Sequence, residues 1–175
     1  MRRPPLPIQP SGNRLRQGRV GTALNPTDVV DTAREVMPRE TIVSSDVGSH
    51  KLLVGQGWTT YRPKAVQMTN GLSSMGFSLP AGIVASPEQP DTPVVGFMGD
   101  GGLNRIELKQ MTRRSVGTGT RIEHTDIVKL AASMDCDGVR VESPQALADA
   151  LSARSPGRPL VIGATIDPAQ YEAQF

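Results

Sequence analysis

At 175 residues, with 37% hydrophobic content and one cysteine, the chain has the size and apolar share of a single soluble domain. Its lone Cys136 excludes both an intrachain disulfide and a cysteine-cluster metal site, and it suits a reducing, cytoplasmic compartment. Its longest apolar run falls well short of the ~20 residues of a membrane span, and only 3% of residues are aromatic, so neither a membrane nor a nucleic-acid partner is expected.

The net charge of +2 hides an asymmetry. Before Asp28 stand Arg2, Arg3, Arg14, Arg16 and Arg19 with no acid, and the remainder sets fourteen basic residues against seventeen acids, a net of −3. Pro4, Pro5, Pro7 and Pro10 fall in the basic stretch, so residues 1–24 read as a disordered arm or linker. Residues 25–175 read as one domain.

Within it, strand and helix patterns alternate. Asn25-Pro26-Thr27-Asp28 opens a helix, with Asn as cap, Pro in the first turn and Asp facing the dipole. Val29, Val30, Ala33, Val36 and Met37 give that helix an apolar face, and Pro38 ends it. Strands are expected at Thr41–Ser45 and Ala65–Thr69, the second breaking at Asn70-Gly71. Helices are expected at 75–85 and 103–114, and His124-Thr125-Asp126 opens a further one through Met134. A strand at 138–142, a helix at 144–153 capped by Ser143, and a strand at 160–166 complete the pattern. This order implies right-handed crossovers and an open parallel α/β sheet with helices on both faces. Ligands of such sheets sit beyond the carboxyl ends of the strands, where Asp46, Asn70-Gly71 and Gly99-Asp100 all fall.

The most telling stretch is Val94-Val95-Gly96-Phe97-Met98-Gly99-Asp100-Gly101-Gly102. Glycines after a strand let backbone amides approach a diphosphate, and a carboxylate at the strand end can hold a hard cation against it. Asp-Gly alone is an ordinary turn signal. Mg²⁺ prefers near-octahedral oxygen ligation, so a second oxygen ligand should follow from a neighbouring strand end, roughly 25 to 30 residues on. Instead Leu103-Asn104-Arg105-Ile106-Glu107-Leu108-Lys109-Gln110 follows at once.

Three blocks in order make the signal specific. They are Ser45-Asp46-Val47-Gly48-Ser49-His50, then Asn70-Gly71-Leu72-Ser73-Ser74-Met75-Gly76-Phe77-Ser78-Leu79-Pro80-Ala81, then Gly99-Asp100-Gly101-Gly102. With them the chain resembles, from about Asn25 to Phe175, the C-terminal diphosphate-binding domain of thiamine-diphosphate enzymes, on the acetolactate synthase and 2-oxo acid decarboxylase branch. The resemblance implies thiamine diphosphate and Mg²⁺ as cofactors. It implies Asn70, Gly71, Ser73, Ser74, Met75, Gly99, Asp100, Gly101 and Gly102 as the cofactor-binding set, with Asp100 as metal ligand and no catalytic side chain. Met75 would prop the cofactor in its bent form, and the backbone of Ser73 would receive the pyrimidine amino group. In the family, a helix, a buried strand and an Asn-bearing strand end follow the Gly-Asp-Gly. Here their absence implies an internal deletion of one central strand and helix.

The activating glutamate of the family comes from a pyrimidine-binding domain, usually on another subunit. The resemblance therefore implies such a domain or subunit as partner, a homo- or hetero-oligomer, and an isolated chain without turnover. The chemistry implied is decarboxylation of a 2-oxo acid with release or transfer of the acyl unit, the cofactor serving as electron sink. A degenerate fragment, or a regulatory subunit pairing with an intact paralogue, is the competing reading. Asn104 stands four residues after Asp100, too near to be the usual second ligand without a rearranged loop. His50 reads as a helix-start residue in preference to a general acid, His124 as capping, and Lys109, Arg113 and Arg114 as a solvated basic face in preference to phosphate contacts. Gln56–Tyr61 is expected on the loop over the thiazolium, with Trp58 and Phe77 in packing roles.

Overall fold

In the computed structural model the described residues are 23–99, 125–155, 157–167 and 171. The arm at 1–22, and the expected helix at 103–114 with Asp100, Gly101, Gly102, Asn104 and His124, lie outside them.

The chain order is α1 (Pro26–Val36), β1 (Ile42–Ser45), α2 (Ser49–Gly57), β2 (Val66–Met68), α3 (Ser78–Glu88), β3 (Val94–Phe97), α4 (Ile127–Ser133), β4 (Asp137–Val141), α5 (Pro144–Ser152) and β5 (Leu160–Ala164). All strand pairings are parallel, and helices connect successive strands, as the alternating pattern implied. Hydrogen bonding divides the described strands into a three-stranded sheet, β2-β1-β3, and a pair, β4-β5.

One core nonetheless spans both sheets. Leu24, Val30, Ala33 and Met37 pack with Val43 of β1, Leu53 and Val54 of α2, Trp58, Val141 of β4, and Leu147 and Leu151 of α5. Helix α1 is the hinge of this arrangement, since it contacts both α2 and α5. Its amphipathic face was readable from sequence, and its start is fixed as expected, with the Asn25 amide donating to the Asp28 carboxylate at 3.1 Å. The far end of the chain is tied in by the Asp167 amide, which donates to the Leu24 carbonyl at 2.9 Å.

Strand periodicity places the other helices. Val43, Val95 and Phe97 point into the core, so Ser44 and Gly96 face the opposite side, where α3 lies. The same alternation in the pair turns Val139, Val141 and Ile162 inward and Gly138 and Gly163 toward α4. Gly138 permits that contact, since a Cβ there would lie 3.0 Å from the Ala131 Cβ and 3.1 Å from the Val128 carbonyl oxygen. Both sheets therefore carry helices on both faces.

Two boundaries differ from the sequence reading. Helix α2 occupies 49–57, where only a helix start at His50 was foreseen. Helix α3 begins at Ser78, not at residue 75, and runs to Glu88. Gly76 adopts φ +80°, a left-handed value that a continuous helix through 75–78 excludes, so Met75 lies on a turn and not on a helix face. Among the described residues, no helix is long and apolar enough to cross a membrane.

Candidate functional site

The register pairs Ser45 with Met68 on one side and with Phe97 on the other, so the three strands end level. Asp46, Asn70-Gly71 and Gly99 consequently meet at one carboxyl edge. The Asp46 amide donates to the Phe97 carbonyl at 2.9 Å, which closes that edge between β1 and β3.

Asp46 organises the edge. Its carboxylate accepts from its neighbour Val47 N–H at 2.8 Å and, thirty residues away, from Gly76 N–H at 2.8 and 2.9 Å and Phe77 N–H at 3.4 Å. Phe77, at the cap position of α3, supplies no side-chain acceptor, so the anionic Asp46 takes that role from another strand end. The loop between Asn70 and Gly76 is thereby drawn against β1.

That loop is open to solvent. Leu72 is 104% and Met75 58% exposed, and a Cβ on Gly71 or Gly76 would meet no heavy atom within 4 Å. Ser73 has φ +51°, uncommon for a residue with a side chain, and Gly71 has φ +87°. The loop is held from below by Lys51 of α2, whose ammonium donates to the Thr69 carbonyl and lies 3.4 Å from Ser73 Oγ.

His50, in the first turn of α2, sits against Gly48, and its buried Nε2 finds no hydrogen-bond partner among the described residues. Burial pushes its pKa down, and the neighbouring Asp46 partly opposes that shift through its charge and its backbone carbonyl. The Gln56–Tyr61 segment does not reach this edge. It follows the end of α2, which has returned to the amino ends of the strands, where Ala65 accepts from the Val43 amide and Arg62 bonds Gln89. There Trp58 is buried, with the Arg34 guanidinium 4.6 Å from its ring centroid and the Phe97 ring edge-on at 5.8 Å. Arg39 covers Tyr61 at 4.0 Å. The packing role expected of Trp58 is what the structure has. Because β1 and β2 run parallel, the connection between them returns the chain toward the amino ends of the strands, away from the carboxyl edge at which a loop over the thiazolium was expected.

Of the sequence-derived set, Asn70, Gly71, Ser73, Ser74, Met75 and Gly99 thus share one edge. Asp100, Gly101 and Gly102 lie outside the described residues, and with them the expected metal ligand. Among the described residues no group of three or more His, Cys, Asp or Glu could hold a metal. Sequence reasoning missed Lys51 and the bridging role of Asp46. Asp46 belongs to the first motif block and Lys51 follows that block directly, but the partners that define their roles lie 18 to 31 residues away.

A parallel sheet with a glycine-rich, solvent-open loop at its carboxyl edge is the architecture of a cofactor-binding α/β domain. Residues 46–116 match the family "Thiamine pyrophosphate enzyme, C-terminal TPP binding domain". The acetolactate synthase of Bacillus subtilis is 26% identical over 171 residues, covering 82% of this chain and 30% of that protein. The large subunit of Escherichia coli acetolactate synthase isozyme 1 is 42% identical over 74 residues, covering 42% of this chain and 13% of that one. In structure, the thiamine diphosphate-dependent 4-hydroxybenzoylformate decarboxylase of Rhodococcus jostii RHA1 superposes with a TM-score of 0.72 at 18% identity, over 85% of this chain and 34% of that one. Over residues 46–116 the chain is therefore similar to the C-terminal, TPP-binding domain of the thiamine pyrophosphate enzymes, a class whose cofactor pair is thiamine diphosphate with Mg²⁺. It spans less than a third of the Bacillus enzyme's length.

The long alignment also carries a gap. Eighty-two per cent of 175 residues is about 143, against 171 aligned positions, so a net of about 28 positions has no counterpart here. The short Escherichia alignment has none, because 42% of 175 is about 74, the number of positions aligned.

Proposed function

We propose that this domain binds the pyrimidine and diphosphate of thiamine diphosphate at the β2-β1-β3 edge and serves a 2-oxo acid decarboxylase or an acetolactate synthase-like enzyme. The observation that carries the proposal is the Asn70–Met75 loop. Its backbone is exposed and bent through left-handed residues, and it lies at the same carboxyl edge as Gly99 with its apolar side chains Leu72 and Met75 exposed. Such a platform suits a flat heteroaromatic ring that needs backbone acceptors at its edge and an apolar prop beneath. The pyrimidine side of the cofactor therefore fits the residues present. When bound, the cofactor supplies the electron sink for carbon–carbon bond cleavage next to a carbonyl. The chain's own part is orientation, with the Ser73 carbonyl for the ring amino group, Met75 for the bend, and Gly99–Gly102 with Asp100 for the diphosphate and Mg²⁺.

The domain works with a pyrimidine-binding domain or subunit that brings the activating carboxylate, in a homo- or hetero-oligomer of the cytoplasm. About 28 positions missing against the Bacillus enzyme match the length of the helix, strand and Asn-bearing turn expected after Gly102, which supports an internal deletion there. The same gap favours the second reading, a degenerate or regulatory chain that pairs with an intact paralogue.

Calorimetric titration of the purified chain with thiamine diphosphate, with and without Mg²⁺, tests the proposal. Weak, Mg²⁺-dependent binding and no pyruvate decarboxylation or acetolactate formation by the chain alone are expected. Binding that is undetectable with Mg²⁺ present overturns the cofactor reading, and turnover by the chain alone overturns its dependence on a partner.

A further inference from the structure

The geometry points to Lys51 as a positioning residue that sets the conformation of the Asn70–Met75 loop. The role toward thiamine diphosphate rests on the function proposed above, whereas the role in the loop does not. The ammonium of Lys51 reaches up from the second residue after α2 begins its first turn and donates to the Thr69 carbonyl, at the point where the chain leaves β2. It also lies 3.4 Å from Ser73 Oγ, four residues further on. The Ser73 hydroxyl in turn is 3.4 Å from both the Thr69 and the Gly71 carbonyl oxygens. One cation thus gathers both ends of the five-residue bend from Thr69 to Ser73.

The far end of the loop is fixed independently by the Asp46 carboxylate on the amides of Gly76 and Phe77. Lys51 and Asp46 stand five positions apart around the turn from β1 into α2, so one rigid corner grips the loop at both ends. A left-handed backbone at Ser73 is disfavoured for a residue with a Cβ and persists only where surrounding contacts over-determine it. The charge-assisted bond of Lys51 to Thr69, with its contact to Ser73, supplies that restraint. A ligand that meets the loop through backbone groups then finds them already in place and loses less chain entropy on binding.

The test uses the full chain without cofactor first. Lys51→Met keeps the apolar stem and removes the ammonium, Lys51→Arg keeps the charge and donors, and Ser73→Ala removes only the upper anchor. Backbone order parameters of residues 70–75 should drop in Lys51→Met from the rigid range of about 0.85 to below about 0.6. They should recover in Lys51→Arg and fall partway in Ser73→Ala, while the thermal midpoint and the signals of buried Trp58 stay unchanged. An unaltered loop in Lys51→Met overturns the proposal, as does a loss confined to global stability. Titration with thiamine diphosphate and Mg²⁺ forms the second arm, in which Lys51→Met should weaken binding about tenfold and Lys51→Arg should restore it. A loosened loop with unchanged affinity overturns the role toward the cofactor. If the unsubstituted chain itself binds no cofactor, the failure belongs to the cofactor reading, and the order parameters alone decide the role of Lys51.

Discussion

The Ser44 hydroxyl lies 2.9 Å from the Ser78 hydroxyl and 3.0 Å from the Ser78 carbonyl, in a fully buried contact that seats the first turn of α3 on β1. The contact exists because Gly96, on the adjacent strand, has no side chain. A Cβ there would stand 3.1 Å from Ser78 Oγ and 3.3 Å from Ser44 Oγ. Gly96→Val should therefore push α3 off the sheet and lower stability by about 1–3 kcal/mol through overpacking. Urea unfolding measures the loss. Because α3 follows the Asn70–Gly76 loop directly, the same variant should weaken any cofactor binding.

Acid should destabilise the domain through His50. Burial lowers its folded pKa below the ordinary 6.5, with Asp46 only partly offsetting the effect. The unfolded chain then binds the proton first as pH falls. The stabilising contribution is complete above pH 6.5 and is lost as pH falls from there through the lowered folded value. Unfolding midpoints measured from pH 8 to 5 should decline less steeply in His50→Gln than in the parent chain, and parallel slopes would contradict the assignment.

Alkali should act through Tyr171, which packs on the core and whose phenol burial pushes up to about 12 from an ordinary 10.0. The folded chain keeps this proton longer than the unfolded one. Stability should consequently fall as pH rises from 10.0 toward about 12, at no more than about 1.4 kcal/mol per pH unit from this group. Tyr171→Phe should remove that part of the slope, read from denaturant midpoints between pH 9 and 11.

The metal side of the proposed site rests on Asp100. Its replacement by Ala should abolish whatever Mg²⁺-dependent cofactor binding the chain has, since one carboxylate already falls short of the oxygen set that Mg²⁺ prefers. Calorimetry with and without Mg²⁺ decides, and retained metal dependence in Asp100→Ala would move the metal elsewhere.

Insertion after Gly102 of a helix, a strand and an Asn-bearing strand end should raise both cofactor affinity and thermal midpoint. The inserted strand would be buried beside β3 and return apolar surface to the interior, and the Asn would complete the metal's ligands. No gain in either quantity would mean that the 103–114 segment belongs to a different kind of site.

Local physics carried much of this structure into view from the sequence. Caps and periodicity located α1 and α5, because Asn25 with Asp28, and Ser143 with the Ala146 amide, act within one turn of chain. Apolar runs ending in Asp46, Asn70 and Gly99 located the carboxyl edge, because a strand end needs only its own residues to be recognised. The start of α3 differs from the sequence reading because the apolar pattern continues through Met75, while the break comes from a left-handed Gly76 held by the Asp46 carboxylate just beyond the end of β1. The packing role of Trp58 was legible from its residue type, but the Arg34 and Phe97 that enclose it were not, because both are distant from it in sequence. Sequence alone settled which residues end strands and which helices have an apolar face, since those signals are short-range. Only the tertiary structure decided that Lys51 and Asp46 grip the Asn70–Gly76 loop, because those bonds join residues that meet solely when β1, β2 and β3 pair in register.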